Sequence, residues 1–317
     1  SARRTNWDRL ARFRQQMQRL HGFFQLERRD RRNRVLVHAR DAKCYGNLLR
    51  REELDMLWSD VILWLGALGF GAIAGSFLNA LLFRFGTGKS VMSGRSRCMS
   101  CNRPLAATDL VPIFSFIFLR GKCRYCRAKI SLQYPLVELA AALLSLLIFI
   151  QTTDMIYHIS YQGMFLFAFW FLAWITLLFI IVYDLRHMVI PWSANIFLAA
   201  LGLIYIWSLG LGVWSFAAGL ILAAPLFLLS LASRGKWMGW ADSLLELSLG
   251  WLLGLSLGAT GLILAFWIGA VVGIVLSLAS KRYTIKSEIP FAPFLALGAA
   301  ISFFLHVDFF SNISALF

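Results

Sequence analysis

The chain has 317 residues, of which 59% are hydrophobic and 15% charged, with a mean hydropathy of +0.68 and a net charge of +15. A soluble globular domain has about 45–50% apolar and about 25% charged residues. This composition therefore excludes a soluble enzyme and indicates a polytopic membrane protein. In such a protein an excess of Lys and Arg reports topology first, so we expect no nucleic-acid partner.

The first 60 residues differ from the rest because they carry 15 Lys and Arg, 8 Asp and Glu, and no stretch long enough to span a membrane. Three explanations stay open: a long basic segment that is translocated regardless of its charge, a re-entrant element, or a stretch foreign to the membrane protein. Met56 stands just before the first apolar stretch. We therefore treat residues 1–56 as a basic segment of uncertain origin and expect the native protein to begin near Met56.

Eight later stretches are apolar and long enough to cross a hydrocarbon core of about 30 Å, which takes roughly 17–25 helical residues. All 16 Lys and Arg beyond residue 60 lie in the first, third, fifth and seventh connections, and the alternate connections have none. Because basic loops stay in the cytoplasm, these four connections are predicted to lie inside. The predicted spans are residues 60–83, 135–151, 163–183, 190–208, 211–231, 242–257, 259–279 and 290–306, with tight connections near Gly210 and Gly258.

The first connection contains two Cys-x-x-Cys pairs. They are formed by Cys98, Cys101, Cys123 and Cys126. Two such pairs at this separation are typical of a tetrahedral four-thiolate zinc site. The alternative is disulfides or unliganded thiols, which is the weaker reading because disulfides are rare in the cytosol. The sequence predicts a structural Zn²⁺ in this loop, with the remaining Cys44 unrelated to it.

Only eight acidic residues follow position 60, and ionisable groups in a span are costly and mark functional sites. Asp184 ends the third predicted span, and Asp242 opens the sixth, both at the inner edge. Two close carboxylates can share a proton and act together as acid and base. Glu246, four residues after Asp242, is a possible third member. The alternative is that both aspartates only cap or solvate helix ends.

Four motifs accompany these residues in order: Gly-Ser-Phe-Leu-Asn at 75–79, Gln-Tyr-Pro-Leu-Val-Glu-Leu at 133–139, Tyr-Asp-Leu-Arg-His-Met-Val-Ile-Pro at 183–191, and Ile-Pro-Phe-Ala-Pro-Phe-Leu-Ala-Leu-Gly at 289–298. Together with the cysteine loop they resemble the type IV prepilin peptidase family over residues 57–306. Its members are the leader peptidases and N-methyltransferases of type IV pilus and type II secretion systems.

The resemblance implies a first transmembrane helix at 57–83, a zinc-binding loop at 84–134 and a membrane aspartic peptidase domain at 135–317. It implies Asp184 and Asp242 as the catalytic pair, facing the cytoplasm from a bacterial inner membrane. Prepilin or pseudopilin precursors would be cleaved after Gly, and the new N-terminus methylated from S-adenosylmethionine. Glu138 is a candidate for this second activity, or a buried structural residue. The basic loop is a candidate contact for membrane lipid or acidic groups of the substrate, and the stronger alternative is that its charges only determine topology.

One motif departs from the family. Where the family shows Gly-x-Gly-Asp-x-Lys, residues 239–244 read Gly-Trp-Ala-Asp-Ser-Leu. Ala241 replaces a glycine and Leu244 replaces a lysine. A catalytically impaired homologue that acts as a binding or scaffold protein is therefore the alternative function. A transporter with a zinc module would explain the spans and cysteines but not the paired aspartates.

Overall fold

The computed structural model describes residues 39–87, 96–152, 161–210, 212–279 and 289–310. In these ranges the protein is helical, apart from two isolated β-bridges in the cysteine loop. A 3₁₀ turn at Ala107–Leu110 precedes the short helix of this loop. The α-helices are α1 (Ala39–Arg84), α2 (Phe114–Phe118), α3 (Gln133–Thr152), α4 (Tyr161–His187), α5 (Trp192–Ser208), α6 (Val213–Ser233), α7 (Trp240–Ala279) and α8 (Ala292–Phe304).

The N-terminal region forms a unit of its own, from Ser1 to Ser59. Of the segment 1–56 that the sequence sets apart, residues 1–38 lie outside the described part of the chain. Residues 39–56 are the first part of the helical backbone of α1. The architecture below concerns the second unit, Asp60–Phe317.

Five helices in the described ranges are long and apolar enough to cross a membrane: Val61–Arg84 of α1, and α3, α4, α6 and α7. α5 and α8 are equally apolar but have only 17 and 13 residues. With the two halves of α7 counted separately, eight apolar helical segments follow in the predicted order. The prediction of an all-α polytopic membrane protein with a small loop module after the first span is confirmed.

α7 is broken at Gly254, whose φ of +77° and ψ of 178° are not helical. A Cβ on Gly258 would lie 3.6 Å from the Cα of Gly250, although eight residues of continuous helix would separate the two by about 12 Å. The halves before and after Gly254 therefore fold back on each other. The predicted connection at Gly258 thus lies four residues earlier, because Gly254 has a backbone conformation that is essentially restricted to glycine.

Replacing Gly254 should therefore destabilise the bundle. We expect Gly254→Ala to lower the free energy of unfolding by about 1–3 kcal/mol, the usual cost of such a conformation for a residue with a Cβ. Gly66→Ala is the matched control, because Gly66 lies in a helix with no atom within 4 Å of an added Cβ. Thermal unfolding of both variants in the same lipid measures the difference. Equal unfolding temperatures would show that Gly254 is not the required turn.

The second half of α7 packs closely against α8 through small residues. The Cα of Ala299 lies 3.2 Å from where a Cβ on Gly261 would stand, and Gly298 approaches the backbone of Gly261 as closely. At the far end, the Ser256 hydroxyl donates to Asp308 Oδ1 over 2.5 Å. These contacts fix α8 antiparallel to this half of α7, so the N-terminus of α8 lies at the end of the bundle where α7 begins.

The ends of α1, α3 and α4 that lie next to the cysteine loop are held together by aromatic stacking. The guanidinium of Arg186 lies 4.3 Å from the ring centroid of Phe83, and the Phe83 ring stacks on Tyr134 at 5.1 Å. The Asn79 side-chain amide also donates to the Tyr134 carbonyl over 3.1 Å. The C-terminus of α4 therefore lies at the same end of the bundle as the cysteine loop.

Candidate active site and metal centre

Asp184 lies in the last turn of α4, where the helix meets the N-terminus of α8. Its side chain is buried, with 4% of the residue exposed. The backbone N–H of Ala292, the first residue of α8, donates to its carboxylate. The other oxygen, Oδ2, has no hydrogen-bond partner among the described residues. The positive end of a helix and a buried acceptor without a partner together suit a carboxylate that handles a proton or water.

Asp242 lies in the first turn of α7 and is 9% exposed. Its Oδ2 accepts the backbone N–H of Gly239 over 3.1 Å. Asp184 lies close enough for its charge to influence this carboxyl group. Two different helices thus bring the two aspartates that the sequence singles out within electrostatic range of each other.

Asn195 supports the second aspartate and was missed by the sequence analysis. It is fully buried in α5, and its side-chain amide donates to the carbonyl of Ala241 over 2.8 Å. This bond fixes the peptide that joins Ala241 to Asp242. The sequence does contain a sign of this role, because Asn195 is an amide within an apolar helix. Polar side chains in spans pack inward and form hydrogen bonds across helices.

Glu246 lies one turn after Asp242 and is 2% exposed. Its Oε1 has no hydrogen-bond partner among the described residues. The structure therefore places Glu246 inside the bundle on the helix that carries Asp242. A buried carboxyl oxygen without a partner is costly, and an accessory role for Glu246 stays a prediction.

Glu138 is placed elsewhere, at the contact between α1, α3 and the cysteine loop. Its Oε2 accepts the backbone N–H of Ile113 over 2.7 Å, and the Ser76 side chain hydrogen-bonds to the same carboxylate. Gly75 allows this approach, because a Cβ there would lie 2.7 Å from the Cα of Glu138. Of its two possible roles, these contacts support the structural one.

The four loop cysteines converge on one point. Their sulfur atoms all lie within 4.8 Å of one another, and Cys98 Sγ is 3.8 Å from Cys126 Sγ. Zinc–sulfur bonds of about 2.3 Å in a tetrahedron place sulfur atoms about 3.8 Å apart. All four are free thiols rather than disulfides. The residues therefore fit a structural Zn²⁺ site.

The two cysteine pairs form equivalent turns. The N–H of Asn102 donates to the Cys98 carbonyl, and four residues beyond Cys123 the N–H of Arg127 does the same to the Cys123 carbonyl. Both Asn102 and Arg127 have positive φ angles, of 58° and 61°. The β-bridges Arg97–Pro104 and Lys122–Lys129 close the turns at matching positions. This repeat presents each pair of sulfurs to a common centre.

The two turns also change the pKa values of the thiols. Backbone N–H groups of Cys101 and Ser100 lower the pKa of the Cys98 thiol to about 6. The N–H of Ala128 acts in the same direction on Cys126, but desolvation and the neighbouring thiols outweigh it and raise the pKa of Cys126 to about 11. One thiolate thus forms readily, while further ones repel each other until a metal ion compensates their charge.

An ion pair joins the parts of the loop. Arg124 Nε, in the second cysteine turn, lies 2.7 Å from Asp109 Oδ1, and the Asp109 side chain is buried. Asp109 Oδ2 also accepts the N–H of Ala106 over 3.2 Å, at the start of the 3₁₀ turn. The segment between the two cysteine turns is thereby attached to the metal centre.

Comparisons with known proteins agree with this arrangement. A family model described as the bacterial peptidase A24 N-terminal domain matches residues 70–152, which include the cysteine loop. A second, the type IV leader peptidase family, matches residues 170–274, which include Asp184 and Asp242. No solved structure matches the chain.

Curated relatives are named as enzymes that process prepilin leader peptides. A prepilin leader peptidase/N-methyltransferase of Bacillus subtilis (strain 168) is 32% identical over 243 residues, or 74% of this chain and 91% of that protein. One of Aeromonas hydrophila is 34% identical over 222 residues, or 67% and 72%. A type 4 prepilin-like proteins leader peptide-processing enzyme of Escherichia coli O78:H11 (strain H10407 / ETEC) is 31% identical over 268 residues, or 75% and 93%. The chain belongs to the type IV prepilin peptidase (peptidase A24) family.

Proposed function

We propose that this protein is an aspartic endopeptidase that removes the leader peptide from type IV prepilin or pseudopilin precursors after Gly, with Asp184 and Asp242 as the catalytic pair. The observation that carries the proposal is that these two buried carboxyl groups, held by α4 and α7, lie within electrostatic range of each other, with Asp184 bonded to the N-terminus of α8. Family membership supplies the reaction and the class of substrate.

The chemistry follows from two carboxyl groups that cannot both be ionised easily at short range. The ionised one takes a proton from a water molecule, whose oxygen attacks the carbonyl carbon of the scissile peptide bond. The protonated one donates its proton to the leaving amine as the carbon–nitrogen bond breaks. The products are a leader peptide that ends in a carboxylate and a mature chain with a new amino group.

We propose the inner membrane of a bacterium as the location, with the catalytic pair and the zinc loop facing the cytoplasm. The basic connections of the sequence support this orientation. A prepilin whose basic leader is in the cytoplasm and whose apolar segment is in the bilayer would then present its cleavage site at the depth of Asp184 and Asp242.

A second activity, N-methylation of the new amino group, is part of the proposal because the curated relatives carry it in their names. S-adenosylmethionine would supply the methyl group. Glu138 is not proposed as its ligand, since the Ile113 N–H and the Ser76 side chain already use its carboxylate. Incubating cleaved pilin with the protein and labelled donor tests this activity separately from cleavage.

The proposed function is tested by co-expressing the protein with a prepilin and following the shift of the pilin to its mature size. We expect complete conversion. If the folded protein leaves the precursor intact, the alternative applies: an impaired homologue that binds or scaffolds components of pilus or secretion assembly. The observation in favour of this alternative is the presence of Ala241 and Leu244 beside Asp242.

Restoring the family residues at these two positions should raise the cleavage rate. An ammonium group near a carboxylate favours its charged form, and Leu244→Lys would supply one. Ala241→Gly would let the substrate backbone approach Asp242 more closely. We expect the double variant to cleave prepilin severalfold faster than the wild type in a time course with equal amounts of protein. An unchanged rate would show that neither departure limits catalysis.

A further inference from the structure

The cysteine loop carries a cluster of exposed apolar side chains that neither the metal centre nor the catalytic pair uses. This apolar face is formed by Leu110, Val111, Phe114, Ile117 and Phe118, on α2 and the turn before it. Phe118 is 80% exposed. Contiguous apolar surface of this kind outside the spanning helices marks an interaction site.

A partly buried hydrogen bond holds the start of this face against the spanning helix α3. Ile113, at the start of α2, donates its N–H to Glu138 over 2.7 Å. Glu138 lies five residues after the first residue of α3, Gln133, hence about 7–8 Å along that span. α2 is therefore held beside the spanning part of α3, and not beyond the end of that helix. Ile113 has a φ of +63°, a strained conformation for a β-branched residue that its surroundings must maintain.

Positive charge follows the apolar face directly along the chain. Asp109 is the one acid of the described loop, residues 96–132, and its partner is Arg124. The other cations beyond α2 are all exposed: Arg120, Lys122, Arg127 and Lys129. Exposed Lys and Arg next to a membrane are attracted to anionic lipid.

A cavity of about 300 Å³ opens beside the apolar face. Phe114 and Phe118 form its apolar wall, while Thr108 and Arg124 contribute its polar wall. Apolar rings on one side and a guanidinium on the other match the junction of an acyl chain with a phosphate headgroup.

We propose that the apolar face lies in the cytoplasmic leaflet of the bilayer and that its occupant is phospholipid, with anionic headgroups on the basic residues that follow it. The zinc module is then an interfacial element attached to the membrane. This proposal rests on the orientation proposed above but not on the proposed catalysis, because it concerns where the loop sits and not what the aspartates do.

Photocrosslinking of the full chain in vesicles tests the proposal. p-Benzoylphenylalanine is placed at Phe118 and, as the matched control, at Met99, which is 74% exposed but lies in the first cysteine turn. In vesicles of phosphatidylglycerol and phosphatidylcholine, mass spectrometry should find lipid adducts at position 118 and nearly none at position 99. Equal yields at the two positions, or adducts of position 118 with protein alone, would overturn it.

The preference of the loop for anionic lipid is measured separately. With the probe at position 118, phosphatidylglycerol should be enriched among the adducts above its share of the vesicle. The enrichment should be lost in the double variant Lys122→Gln, Lys129→Gln, whose changes leave the cysteines and Arg124 intact. If the chain with Lys122 and Lys129 intact gave adducts in the same proportions as the lipids of the vesicle, the proposed role of the basic residues would be overturned.

Discussion

We expect Asp184→Asn and Asp242→Asn each to reduce prepilin cleavage by about 10³-fold or more, with folding retained. General acid or base catalysis contributes about 10²–10⁴-fold, and an amide can neither take up the proton of the attacking water nor donate one to the leaving amine. Because Asn has nearly the shape of Asp, the N–H donors of Ala292 and Gly239 keep an oxygen to bond. The measurement is the initial rate of cleavage in vesicles, together with the thermal unfolding of each variant.

Asp308→Asn is the matched control for these variants. Asp308 bonds to Ser256 at the other end of the bundle, away from the proposed site. We expect its cleavage rate to stay near that of the wild type. If Asp184→Asn or Asp242→Asn kept the wild-type rate, the pair would not be catalytic, and the electrostatic contact between them would be a structural feature of the helix ends.

The second large effect concerns the metal centre. We expect Cys98→Ser and Cys123→Ser each to abolish binding of zinc and to make the loop sensitive to proteases. A serine hydroxyl does not replace a thiolate ligand, and a structural zinc site contributes on the order of 10 kcal/mol to the folding of small zinc modules. Metal analysis of the purified protein and limited proteolysis between α1 and α3 measure the two effects. A strong chelator should act on the wild type in the same way.

Ser100→Ala is the control within the same turn. Ser100 lies between Cys98 and Cys101, its backbone N–H is retained in the variant, and its side chain is exposed. Zinc content and protease resistance should be unchanged. Full zinc content in Cys98→Ser would show that the ion is held by other residues. A wild-type protein free of zinc under reducing conditions would show that the four cysteines do not form a zinc site.

The sequence predicts the order of the helices and draws attention to the two aspartates, for physical reasons. Long apolar stretches and one-sided basic loops are properties that membrane insertion imposes on the sequence itself. Asp184 and Asp242 stand out because few acids lie beyond residue 60. The spacing of the cysteines predicts their convergence, since each pair needs only a local turn.

Contacts between distant segments could not be predicted in this way. The backbone angles of Gly254 show that α7 breaks there. The apolar sequence continues without interruption around it, so Gly258 is an equally good candidate for the break from the sequence alone. The bond from Ile113 to Glu138 joins residues 25 positions apart in sequence. The bond from Asn195 to Ala241 likewise crosses from α5 to α7. Such bonds depend on how the helices pack, which hydropathy does not encode.

The most direct test of the proposed function is the N-terminal mass of a prepilin after incubation with the purified protein in vesicles. The expected product begins at the residue after the Gly at the cleavage site, is formed by the wild type, and is absent with the double variant Asp184→Asn, Asp242→Asn. A precursor that stays intact with folded wild type, or the same product from the double variant, would contradict the assignment of this protein as an aspartic prepilin peptidase.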